Sequence, residues 1–174
     1  LGAGGVWTSG LKNVPSFLWQ VEWPSDIQAD LVSDTNPTGT LSINDLELAG
    51  LVLGWLALEC QQDLPLAYHH IGMFCDNTSA VYWAKQDCTS TSAVAGKLLR
   101  LLYMRINTKE AGPALVTNVA GDDNTMADIA SRAFKDGKFF AAQENLANYF
   151  NSHFPQTSCW HELTIPKEWV SLVI

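Results

Sequence analysis

The spacing of hydrophobic and polar positions changes along the chain in a definite order. Gly2, Gly4 and Gly5 precede Val6 and Trp7, the turn-forming run Gly10-Leu11-Lys12-Asn13 follows, and then Phe17-Leu18-Trp19-Gln20-Val21-Glu22-Trp23 sets Gln20 and Glu22 between apolar residues. A period of two on both sides of a turn predicts an antiparallel hairpin. Pro24 closes the second strand. The Ser-, Asp- and Asn-containing stretch to Gly39, with Pro37, predicts an irregular connection with one helical turn over 26–31, then a short strand over 40–43.

From Asn44 the period becomes helical. Asn44 fits an N-cap with Glu47 three residues on, Leu46, Ala49, Leu53, Leu56 and Cys60 recur at helical spacing, and Leu48, Leu51, Val52 and Trp55 cover the other side. This helix is expected to be buried nearly all round. Pro65 closes it. Residues 69–75 predict a central strand ending on Asp76, with the tandem His69-His70 at its start, and 78–85 predict a short helix. Val94, Leu98, Leu101, Leu102 and Ile106 mark a longer amphipathic helix ended by Gly112-Pro113; a strand over 114–120 and a helix over 124–134 follow. The order implies an α/β fold, a mixed five-stranded sheet flanked by helices over 1–136, with a short helical annex over 137–174 that includes a helix at 139–150.

Composition narrows the class. At 174 residues and 47% hydrophobic content the chain buries a substantial core, and its seven Trp and seven Phe run from Trp7 to Trp169, so packing is expected along almost the whole length. No apolar stretch approaches the roughly 20 residues that span a bilayer. The chain starts at Leu1 without a basic segment before an apolar one, which points to an intracellular protein, a processed product or a fragment of something longer. Cys60, Cys75, Cys88 and Cys159 have neither CxxC spacing nor zinc-finger partners, so reduced, mostly buried thiols are expected. The formal charge of -8 is unfavourable for gripping phosphates, and other parts of a larger protein would have to supply that grip.

Only 16% of residues are charged, so a carboxylate within an apolar element needs a reason. Glu47, Asp76 and Asp128 meet that description. Each has a local explanation: Glu47 as capping-box partner of Asn44, Asp76 as N-cap of the following helix, Asp128 as the i, i+4 partner of Arg132. Together they are more informative, because a strand-end Asp and acids from two helix starts can converge at one sheet edge, where α/β folds bind ligands. Hard oxygen ligands there suit Mg²⁺ or Mn²⁺, and two such ions about 3.5–4 Å apart could activate water and stabilise a phosphodiester leaving oxygen.

Ser42-Ile43-Asn44-Asp45-Leu46-Glu47-Leu48-Ala49, Cys75-Asp76-Asn77-Thr78-Ser79-Ala80-Val81 and Gly121-Asp122-Asp123-Asn124-Thr125-Met126-Ala127-Asp128-Ile129-Ala130-Ser131-Arg132 resemble, in order and spacing, the motifs of retrotransposon ribonuclease H domains. The last motif is the strongest, and the resemblance covers about residues 1–134. It implies a ribonuclease H-like fold and hydrolysis of the RNA strand of RNA–DNA hybrids by two-metal catalysis. Glu47, Asp76 and Asp128 would be the catalytic metal ligands for Mg²⁺, with Mn²⁺ as substitute, and the parent would be a reverse transcriptase polyprotein with its polymerase region upstream. It also implies hybrid contacts from Asn77, Thr78 and Arg132, although local sequence favours Asn77 as a helix cap and Arg132 could instead pair only with Asp128.

The family carries a further Asp on its first strand, ahead of a glycine-rich turn similar to Leu1-Gly2-Ala3-Gly4-Gly5-Val6-Trp7, and that Asp would lie before Leu1. Without it, weak metal binding and poor hydrolysis are expected; if it sits upstream in a longer parent, full activity is expected there. Cellular members often place a His ahead of the final Asp; residues 119–124 contain none, while His153 and His161 fall in the annex. The alternative is a catalytically inactive ribonuclease H-like module that binds nucleic acid or protein. A 3′–5′ exonuclease or integrase-like domain fits less well: no Asp-x-Glu strand opens the chain, and its last acid is Asp128 where an integrase has Glu.

Overall fold

The structure, a computed structural model, describes residues 1–9, 14–61, 64, 66–86, 92–132, 145–155 and 159–174. The expected hairpin is present: β1 (Gly2–Trp7) pairs antiparallel with β2 (Ser16–Glu22), from Gly2 opposite Glu22 to Trp7 opposite Phe17. The turn at 10–13 lies outside the described residues. Pro24 sits at the N-cap of α1 (Ser25–Ala29), which realises the helical turn predicted there. No strand forms over 40–43; Leu41 makes only an isolated parallel bridge to Leu31, and Asn36, Asp30 and Thr40 hold this connection by side-chain hydrogen bonds.

Helix α2 (Ile43–Glu59) is buried on all sides, with Leu48, Ala49, Val52 and Leu53 at 0% exposure. Its N-cap is Ser42, not Asn44: the Ser42 side chain accepts from the Asp45 backbone N–H, and the Asp45 carboxylate accepts in return from the Ser42 N–H. Ser-x-x-Asp competes successfully with Asn-x-x-Glu because the Ser42 backbone is extended, leaving Asn44 already within the first turn. Strand β3 (Gly72–Cys75) begins after His69 and His70, which are exposed in the preceding coil, and leads into α3 (Thr78–Gln86). Next come α4 (Ala93–Thr108), β4 (Leu115–Asn118), a 3₁₀ turn (Gly121–Asp123) and α5 (Thr125–Arg132). The chain continues through α6 (Leu146–His153), β5 (Trp160–Thr164) and α7 (Lys167–Val173). Residues 133–144, and with them the ends of two predicted helices, lie outside the described residues.

The fold is α/β. Its five strands among the described residues divide into a mixed three-stranded sheet, β1-β2-β5, and a parallel two-stranded sheet, β3-β4. β5 runs parallel to β2, from Ser16 opposite Trp160 to Gln20 opposite Thr164. The C-terminal stretch therefore contributes a strand as well as helices. Side chains alternate across the three-stranded sheet: Phe17 and Trp19 join the large core around α2, whereas Leu18 joins Ala130, Leu146, Phe150 and Trp160 on the opposite face. The sheet is thus a middle layer, with α2 on one side and α5 and α6 on the other.

The glycines of β1 allow this arrangement. A Cβ on Gly4 would stand 2.4 Å from the Ser131 backbone nitrogen, so α5 lies directly on the strand. On the other face a Cβ on Gly5 would stand 2.7 Å from Trp19 Nε1, and a Cβ on Gly50 of α2 would be 3.7 Å from Ala3 Cβ. A glycine-poor strand would hold both helices farther away. α4 packs its Ala95, Leu98, Leu102 and Ile106 side against α2. The almost fully buried Glu59 side chain accepts from Arg105 Nε at 3.0 Å and Nη2 at 2.6 Å, with Lys109 Nζ at 3.5 Å, so α2 and α4 are also pinned electrostatically.

Candidate metal centre

Three segments far apart in sequence meet at the C-terminal end of β3. α2 presents Glu47 from its first turns, β3 ends on Cys75 and Asp76, and the 3₁₀ turn brings Gly121 to Asp76, where a Cβ on that glycine would lie 3.7 Å from Asp76 Oδ2. One carboxylate oxygen of Glu47, the Cys75 Sγ and one carboxylate oxygen of Asp76 all lie within 4.8 Å of one another. Glu47 is half-buried, Cys75 buried and Asp76 exposed, so the cluster has a dry floor and an open rim.

Backbone and amide contacts hold this geometry. The Asn77 side chain accepts from the Ala80 N–H at 2.9 Å, capping α3, and its Nδ2 donates to Asn44 Oδ1 at 2.8 Å, which ties the start of α3 to the start of α2. Asn77 N–H also donates to Cys75 Sγ at 3.4 Å. The Cys75 carbonyl accepts from Val119 N–H at 3.0 Å and from Asn118 Nδ2 at 3.1 Å, linking the strand end to β4. The local alternatives for two of the acids are thereby resolved. Glu47 is not the capping-box partner, because Asp45 is, and Asp76 is not the helix cap, because Asn77 is. Neither carboxylate has a capping role that would explain its presence.

Electrostatics reflect the crowding. Burial, and after it the Asp76 carboxylate, hold the Glu47 carboxyl above the usual Glu range. The Cys75 thiol is pushed up to about 11, first by burial and further by Glu47 and Asp76, while the Asn77 N–H opposes the shift. Two carboxylates in mutual repulsion, one of them partly desolvated, are poised to gain a cation, which relieves both costs at once. Mg²⁺ and Mn²⁺ take such oxygen donors, and oxygen pairs within this distance can share one ion after small side-chain rotations. The donor set fits a divalent metal.

Asp128 stands apart from this cluster. It lies in the first turn of α5 and accepts from Arg132 Nε at 2.6 Å, the i, i+4 pair anticipated from the spacing; the Asp128 and Arg132 side chains are 41% and 62% exposed. Thr78 is exposed at the start of α3. Of the six residues singled out from sequence, the structure gathers Glu47, Asp76 and Asn77 around one point, with Thr78 next in chain, and leaves Asp128 and Arg132 paired with each other. Cys75 is the member the sequence concealed, since a thiol within an apolar strand reads as core. It is also the sole buried thiol of the three described cysteines; Cys60 and Cys159 are exposed, against expectation, because they fall just after α2 and just before β5, and Cys88 lies outside the described residues.

Asp45 was equally hidden. Its carboxylate, 2% exposed, accepts from the Ser42 N–H and hydroxyl at 2.9 and 2.6 Å and from the Ser92 hydroxyl at 2.5 Å, while Ser92 caps α4 by accepting from Ala95 N–H. One buried acid therefore joins the N-terminal caps of α2 and α4. The Ser42-x-x-Asp45 spacing was visible beforehand; its partnership with Ser92, 47 positions on, was not. Among the described residues, no helix is long and apolar enough to cross a membrane. No protein-family model, curated protein or solved structure matches the chain.

Proposed function

We propose that this chain is a divalent-metal-dependent nuclease domain of ribonuclease H type, acting on the RNA strand of RNA–DNA hybrids as part of a retroelement reverse transcriptase. The single observation that carries the reading is the convergence of Glu47 and Asp76, from two of the three motifs that suggested it, at a site where neither acid caps a helix or forms an ion pair among the described residues. The third motif touches the same point through Gly121.

In this reading Glu47 and Asp76 would hold Mg²⁺, with Asp128, which pairs with Arg132, as the third ligand that the family resemblance implies. The bound metal supplies Lewis-acid stabilisation of charge on the phosphodiester and lowers the cost of ionising the attacking water. The protein's own part is positioning. Asn77 fixes the start of α3 relative to α2 by bridging to Asn44, and Arg132 would contact substrate phosphate. A further acid upstream of Leu1 would complete the metal shell that the family resemblance implies. The finer expectation, a five-stranded ribonuclease H-like sheet, requires β1 and β3 to lie edge to edge, joining the three- and two-stranded sheets.

The test is cleavage of a labelled RNA–DNA hybrid in Mn²⁺ by the chain with and without its upstream residues. Cleavage lost in Asp76→Asn supports the reading; an inert longer chain refutes it. The second reading, a catalytically inactive ribonuclease H-like module that binds nucleic acid or protein, is favoured by the Asp128–Arg132 pair and, for a protein partner, by the net charge of -8. It predicts hybrid binding without cleavage and no functional loss in Asp76→Asn or Glu47→Gln.

A further inference from the structure

The chain has 18 acidic and ten basic residues, yet α4 contains no Asp or Glu at all, and Lys97, Arg100, Arg105 and Lys109 fall within it and its C-cap. These four divide sharply. Arg105 and Lys109 share the single carboxylate of Glu59, whereas Lys97 and Arg100 are exposed and have no ion-pair partner among the described residues. Both line a groove of about 950 Å³ beside α4, whose wall includes Gly96, Tyr103, Asn107 and Pro113. The Tyr103 hydroxyl donates to the Ala84 carbonyl, so the groove is braced against the last turn of α3, where Lys85 is exposed. At the N-terminal end, Ser92 of the groove wall donates to the Asp45 carboxylate, which is buried and also accepts from the Ser42 hydroxyl and backbone N–H.

We infer that this groove binds the phosphodiester backbone of a nucleic-acid strand, through Lys97 and Arg100, apart from the carboxylate centre. The inference rests on the proposed nuclease reading for its ligand, and charge complementarity selects it. In an acidic chain, two neighbouring cations one turn apart, without an ion-pair partner among the described residues, on a helix cleared of acids and at the wall of an open groove, match successive phosphates. Gly96 leaves room for close approach, and Asn107 adds an amide that donates to phosphate oxygen. The groove would supply the phosphate grip that the overall charge otherwise disfavours.

The experiment measures affinity for an RNA–DNA hybrid by fluorescence anisotropy in EDTA, so that no metal or cleavage enters, over a series of KCl concentrations. Each lost phosphate contact lowers the slope of log K against log salt by about 0.9, so Lys97→Ala/Arg100→Ala is expected to lower it by about 2 and weaken binding at least about tenfold at low salt. Lys97→Arg/Arg100→Lys should keep the slope, as should Lys167→Ala on α7, a cation that does not line the groove. An unchanged slope in a Lys97→Ala/Arg100→Ala protein with wild-type circular dichroism overturns the inference, as does a wild type that does not bind. The two proposals fail separately: cleavage with an unaltered slope removes only the groove, and a groove-dependent slope without cleavage removes only the nuclease.

Discussion

Asp45 and Glu47 stand two residues apart on one helix, and their carboxylates have opposite effects on stability. Asp45 is buried with three hydrogen-bond donors, so truncation strands the caps of two helices. Asp45→Ala should destabilise the chain by about 2–4 kcal/mol, measured by urea unfolding, and Asp45→Asn by less, because one acceptor oxygen remains. Glu47 is half-buried beside Asp76 and gains nothing from the fold. Glu47→Gln is expected to stabilise the metal-free chain at neutral pH by up to about 2 kcal/mol, as relief of crowded like charge commonly does. It should also abolish any rise in melting temperature caused by Mn²⁺. A destabilised Glu47→Gln protein would argue against the metal centre.

The Glu47 carboxyl also sets a pH dependence. Its folded pKa lies above the ordinary 4.5, so between the two values the folded chain binds more protons than the unfolded one. The resulting stability is fully present below 4.5 and is lost as pH rises through the raised folded value. Metal competes for the ionised form, so its effect has the opposite sign. Melting temperature in EDTA should therefore lose this contribution across that window while the increment produced by Mn²⁺ grows, and Glu47→Gln should flatten both trends.

At the scale of elements, β1 and α5 depend on each other through Gly4. A methyl group there would meet the Ser131 nitrogen and the Ala130 carbon at 2.4 and 2.5 Å, both backbone atoms that cannot rotate aside. Gly4→Ala should cost about 1–3 kcal/mol and selectively speed amide exchange in α5, since the helix must lift from the strand. Exchange that rises uniformly over the chain would show instead that α5 is held by other contacts. α2 and α4 are more tolerant, because an apolar seam and the Glu59 pair hold them together; loss of either leaves the other.

Across the whole molecule, the C-terminal stretch serves both hydrophobic cores. Trp160 of β5 packs with Leu18 and Phe150 on one face of the sheet, while Val170 and Val173 of α7 join the core around α2 on the other. Ending the chain after residue 155 should abolish cooperative thermal unfolding, and Trp160→Ala alone should cost about 3–5 kcal/mol by calorimetry or urea.

What the residues determined alone was local and periodic: the hairpin from alternation around Gln20 and Glu22, the buried α2 from apolar residues on every face, the Asp128–Arg132 pair from its i, i+4 spacing. Such features depend on neighbours within a few positions, and so they are written in consecutive residues. The motifs also marked Glu47 and Asp76 as acids without an apolar excuse. Tertiary structure decided the rest. It selected Ser42 and Asp45 over Asn44 and Glu47 as the cap, because only the extended backbone at Ser42 can turn its hydroxyl to the helix. It paired β5 with β2 across more than a hundred residues, a choice that depends on which strand edge remains open and not on any property of either strand. Above all it brought ligand atoms of Glu47, Cys75 and Asp76 within 4.8 Å of each other while leaving Asp128 to Arg132. Spacing along a chain orders ligands, but only packing measures the distance between them.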